Sequence, residues 1–161
     1  MNELKAEGLD FKYECFDRIP RKDILKKYTE SDIVIGQLFS QSLAKQGLEV
    51  LSSGTLFLTH LSRDNASSDE YYLENPAINI NKDTLKIILK ELVPDLTKRK
   101  ELALLGRPFI EKYHSPIKFA KELTALLDKG EISNKSLVTP TFYSTKFKQD
   151  NKFKYLYEQL D

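Results

Sequence analysis

The chain predicts an α/β fold, a parallel sheet flanked by helices, and three observations carry that expectation. Short apolar runs recur at residues 33–35, 55–59 and 77–80. These runs are continuous rather than alternating, as strands covered on both faces require. Between and after them lie stretches with apolar residues three and four apart, such as Leu85, Ile88, Leu89 and Leu92. Strands alternating with helices at this spacing build a layered domain. With 161 residues, the expected division is one domain over residues 1–130 and a helical carboxy-terminal tail over 131–161.

Taken in order, residues 2–7 read as the tail of a helix stopped by Gly8. Residues 10–16 set Phe11, Tyr13 and Cys15 against Lys12 and Glu14, the period of two that predicts a strand. Pro20 opens a helix to about residue 29, with Ile24, Leu25 and Tyr28 on one face. Ile33, Val34 and Ile35 form a buried strand, residues 37–41 a loop, and residues 42–52 a helix ended by Gly54. A second buried strand follows at 55–59. Residues 62–75 are polar, rich in Ser, Asp and Asn and without period, which predicts a mobile loop. A strand is expected at 77–80, then helices over 85–92, 97–113 and 117–127, the last begun by Pro116. The tail is expected to end in a helix near residues 153–160.

Composition narrows the function classes. A net charge of +1 offers no general attraction to nucleic acid, and none is expected as a partner. Cys15 is the single cysteine, so neither an internal disulfide nor a cysteine-rich metal site is available. His60 and His114 lack partners at metal-ligand spacing, and no metal is expected. No apolar run approaches the about 18 residues of a membrane span, and the first residues lack the apolar core of a secretory signal, so a cytoplasmic location is expected. In the tail, Lys146, Phe147, Lys148, Lys152, Phe153, Lys154 and Tyr155 interleave cations and aromatics. That pattern suits an anionic lipid surface, hence peripheral membrane contact, or single-stranded nucleic acid; the other reading is a solvated amphipathic tail docked on the domain.

Ligands of open parallel sheets bind beyond the carboxyl ends of the strands, which directs attention to the strand, loop and helix from Ser31 to Gly54. The run Ser31-Asp32-Ile33-Val34-Ile35-Gly36-Gln37, followed by Gly47-Leu48-Glu49-Val50-Leu51-Ser52-Ser53-Gly54-Thr55, resembles a stretch of the retaining GT-B glycosyltransferases of the group 1 type. Pro76 to Asn81, Gly106-Arg107-Pro108-Phe109-Ile110 and Tyr113-His114-Ser115-Pro116 resemble the closing segment of the same family, so the likeness covers about residues 10–127. It implies the Rossmann-like carboxy-terminal half of a GT-B fold. The substrate it implies is a nucleoside diphosphate sugar, with no cofactor besides, and the reaction is sugar transfer with retention of configuration. On the same basis Glu49 receives the ribose hydroxyls, Gln37 orients a phosphate or sugar, and the helix start near Ser40, Gln41 and Ser42 faces the phosphates. Phe16, Arg18 and Ile19 belong to the loop that contacts the nucleobase edge. For Glu49 a solvated helix glutamate is the alternative, for Gln37 a glutamine capping its own loop, and for Phe16 and Ile19 plain core packing.

The sequence departs from the family pattern at three places. Gln41, with seven residues between it and Glu49, stands where many members carry a second glutamate. Gln41, Ser42 and Ala44 replace the glycines that let the backbone approach the donor. The basic phosphate-binding pair and the acceptor-binding domain would both precede Met1. The resemblance thus implies a half-enzyme that is inactive alone and completed by a separate amino-terminal chain or by self-association. The competing reading is a non-catalytic, degenerate domain that binds or regulates a partner protein.

Overall fold

The computed structural model describes residues 1–129. The sheet has three parallel strands, β1 (Ile33–Ile35), β2 (Leu56–Thr59) and β3 (Ile78–Asn79), in the order β1-β2-β3. Every residue of the central strand β2 is buried, as continuous apolar character requires. The helices are α1 (Asn2–Ala6), α2 (Arg21–Glu30), α3 (Ala44–Ser52), α4 (Asp69–Glu74), α5 (Leu85–Leu92), α6 (Leu96–Ala103), α7 (Gly106–Tyr113) and α8 (Pro116–Lys129). The result is a small parallel sheet flanked by helices, compatible with the Rossmann-like layer expected.

The pleat divides the interior into two cores. Ile33, Ile35, Leu56, Leu58, Ile78 and Ile80 meet Leu4 of α1, Ile88, Leu89 and Leu92 of α5 and Leu102 of α6. Val34, Phe57 and Ala77 face the other way, against Tyr28 of α2, Val50 and Leu51 of α3 and Phe109 of α7. Two glycines fix how closely α3 lies on the sheet. A Cβ at Gly36, just after β1, would stand 2.5 Å from the Phe57 ring, and one at Gly47, within α3, 2.8 Å from the same ring. A third, Gly106, lets α7 approach the backbone of α3, since its Cβ would stand 2.7 Å from the Leu51 carbonyl oxygen. The exposed apolar side chains Ile117, Phe119, Leu123 and Leu127 of α8 contribute to neither core.

Four expectations need correction. Residues 10–16 form no strand, because a strand requires a paired backbone and this segment has no partner among the described residues. Its side chains hold it instead. Lys27 bonds Glu14 at 3.0 Å and stands 5.2 Å over the Phe16 ring, and Phe11 packs on the first core. Residues 62–75 are not one loop: a 3₁₀ turn over Arg63–Asn65 and α4 lie within them. Ser62 and Ser68 cap the two, accepting from the N–H groups of Asp64 and Tyr71, so the polarity of this stretch reflects capping. The helix expected over 97–113 is two, α6 and α7, with Pro108 in the first turn of α7. Proline is tolerated there, whereas a continuous helix would need the N–H it lacks. Finally, α3 starts at Ala44 rather than residue 42. The expected tail helix lies outside the described residues.

Candidate functional site at the carboxyl ends of the strands

β1 and β2 end side by side, and the loop after β1 is latched to β2. The Gln37 carbonyl accepts from the His60 N–H and from the Thr59 hydroxyl, each at 3.0 Å. Further on, the Gln41 carbonyl accepts from the Ser62 N–H at 3.2 Å, and its side-chain carbonyl accepts from the Asn65 amide at 2.9 Å. The chain then enters α3 through Ala44 at φ 48°, a left-handed conformation that costs a non-glycine residue about 1–2 kcal/mol. Among the described residues no side chain caps the first turn of α3. Its leading N–H groups are left without a side-chain acceptor.

Here opens a cleft of about 170 Å³, with Gln41, Ser42, Leu48, Asn65, Tyr71 and His114 among its walls. Among the described residues none that lines it is an Asp, Glu, Lys or Arg. Tyr71 and His114 meet at 2.9 Å through the hydroxyl and Nε2. Burial, with the nearby Tyr113, pushes the Tyr71 hydroxyl up to about 12, and burial lowers His114 below its ordinary value. Both are therefore neutral at pH 7, and the cleft presents amides, hydroxyls and an imidazole over an apolar floor of leucine and tyrosine. Such a surface suits neutral hydroxylated or amide-bearing groups. An anion here would be held by the helix start rather than by a cation.

Glu49 does not line this cleft. It lies on α3, its side chain 17% exposed, and Oε1 accepts from Arg21 Nε at 3.0 Å and Nη2 at 2.9 Å, with Lys45 at 3.9 Å. Arg21 is the first residue of α2, directly after the loop of Phe16, Arg18 and Ile19. In that loop Phe16 is exposed, Ile19 half-buried, and Arg18 sits at φ 53° with its guanidinium 3.9 Å from Asp17. The expected residues thus fall into two groups. Gln41 and Ser42 stand at the cleft; Glu49 is joined through Arg21 to the loop before α2. The side chain of Gln37 is exposed and Ser40 half-buried in the connecting loop, and neither lines the cleft.

Asn65, Tyr71, Tyr72, Asn75 and His114 line the cleft, although the sequence placed the first four in the loop expected over 62–75 and His114 between the helices expected over 97–113 and 117–127. The Ser68 cap was the available signal, since it predicts a helix that carries Tyr71 and Tyr72 inward. The carboxylates of that stretch serve as structural partners: Asp69 pairs with Arg63 at 2.7 Å, and Lys112 of α7 holds both Glu70 and Glu74 of α4. Among the described residues no group of three or more His, Cys, Asp or Glu is arranged to hold a metal ion, and no helix is long and apolar enough to cross a membrane. No family model, no curated protein and no solved structure matches the chain.

Proposed function

We propose that the chain is the donor-binding half of a GT-B-type glycosyltransferase, holding a nucleoside diphosphate sugar for transfer by a complete enzyme. One observation carries this reading: the uncapped start of α3, entered through left-handed Ala44, stands beside a cleft at the carboxyl ends of two parallel strands. A diphosphate would take the leading N–H groups of α3. The positive φ of Ala44 retains a glycine-like backbone although the family's glycine is missing. Glu49 sits five residues further along α3, and both of its short bonds go to Oε1. Among the described residues no partner bonds Oε2, so that oxygen is available to a ribose hydroxyl. The cleft, at about 170 Å³, is smaller than the ~300–1,000 Å³ of sites that enclose a drug-sized ligand, so it would enclose one ring of the donor and leave the nucleotide outside.

The test is binding of nucleoside diphosphates by wild type and Glu49→Ala, read by calorimetry at up to millimolar ligand. A charged hydrogen bond contributes on the order of 1.5–3 kcal/mol, so the variant should bind roughly 10- to 150-fold more weakly. The fold should survive, because the Arg21 side chain left behind is largely exposed. Equal affinities would remove Glu49 from the site. The isolated chain is expected to transfer no sugar, and reproducible turnover would overturn the half-enzyme reading. A second reading, a non-catalytic interaction module, is favoured by the ion pair that engages Glu49 and the amide lock between Gln41 and Asn65. Binding by neither protein would select it.

A further inference from the structure

Away from the cleft, the sheet leaves a backbone edge unpaired. Among the described residues β1 pairs with β2 alone, and the Gly36 N–H donates to the Leu58 carbonyl at 2.7 Å. The alternation of a parallel ladder then turns the N–H and carbonyl groups of Ile33 and Ile35 to the opposite side. Among the described residues no backbone group meets them there. Residues 10–16 of the same chain carry the alternation of a strand yet, among the described residues, bond to no strand. Lys27 ties this segment to α2 through Glu14 and Phe16, leaving Tyr13 49% exposed and Cys15 exposed. An unpaired edge and an unpaired strand-patterned segment are the two halves of a ladder, and a twofold pair of chains satisfies both at once. We propose that the protein dimerises by reciprocal strand addition, residues 10–16 of each copy pairing along the free edge of β1 in the other. The occupant is a second copy because this chain itself supplies the matching segment, which its own fold holds against a helix. The main-chain bonds give such pairing its strength, and the exposed Tyr13 and Cys15 give it contact area.

Sedimentation velocity across micromolar concentrations and hydrogen exchange at the Ile33 and Ile35 amides test this on the full chain. The expected result is a dimer in which both amides exchange slowly. Tyr13→Pro should yield a folded monomer whose Ile33 and Ile35 amides exchange roughly tenfold faster or more, because proline removes a ladder donor at a position that makes no backbone bond among the described residues. If that variant fails to fold, a synthetic peptide of residues 10–16 in excess serves instead: it should dissociate the wild-type dimer, and a scrambled peptide should not. A wild-type monomer would overturn the proposal. So would a dimer that survives both Tyr13→Pro and the peptide, a dimer abolished by Leu123→Lys on α8 but not by Tyr13→Pro, or protection of Ile33 and Ile35 in a monomer, which would mean that the chain's own residues cover the edge.

Discussion

Tyr71 and His114 join α4 to the end of α7 through one bond at 2.9 Å, with Tyr71 also stacked tilted on Phe109 at 5.1 Å. Tyr71→Phe keeps the ring contacts and loses the bond, so a cost of about 1 kcal/mol is expected in denaturant unfolding. His114 adds a pH dependence whose sign follows from burial. Its folded-state value lies below the ordinary one near 6.5, so above that pH the ring is neutral in both states and its contribution is complete. As pH falls below 6.5 the unfolded chain takes up a proton that the folded chain resists, and stability declines until the folded ring titrates. His114→Asn should flatten that decline in unfolding curves recorded between pH 7 and 5. At this scale the sequence was partly legible. Glu49 stood out only through the resemblance of its helix to the glycosyltransferase family, and its partner Arg21 lies 28 residues away, with no local pattern to join the two. The left-handed backbone of Ala44 was hidden as well, because alanine gives no signal of positive φ.

Strands and helices differed in legibility for a physical reason. Ile33–Ile35 and Leu56–Thr59 were readable as short continuous apolar runs, and the apolar face of α5 by its helical period. Residues 10–16 carried a period too, yet a strand is a property of a pair, and the period does not name the partner. In residues 62–75 the capping serines looked like loop chemistry, since the same hydroxyls serve both purposes. Gly47 shows local propensity overruled by packing. Within α3 an alanine would be favoured by about 1 kcal/mol, but its Cβ would meet the Phe57 ring at 2.8 Å and Leu43 at 3.0 Å. Overpacking of this kind costs about 1–3 kcal/mol, so Gly47→Ala should lower the thermal midpoint. A double-mutant cycle with Phe57→Leu, which removes the obstructing ring, should return a favourable coupling of about 1 kcal/mol.

At the scale of the whole molecule, both cores, among the described residues, are built from members that precede α8 and lie between Met1 and Tyr113. A chain ending at Ser115 should therefore unfold cooperatively with a midpoint within a few degrees of the full chain, as calorimetry would show, and loss of cooperativity would mean that later residues complete the interior. The order of elements and the α/β class were legible at this scale because they follow from alternation along the chain. The division of helices between the two faces was not, because it depends on which strands pair. The Phe57 ring links the two descriptions. It is buried in the face beneath α3, with one edge toward Gly36 and the other toward Gly47. A ring held at both edges cannot turn about its axis until helix and strand separate slightly, for a close-packed interior has no room to spare. The half-turn of that ring, followed by aromatic NMR line shapes, therefore acts as a clock for the breathing of α3 over the sheet, ticking once each time the layers part.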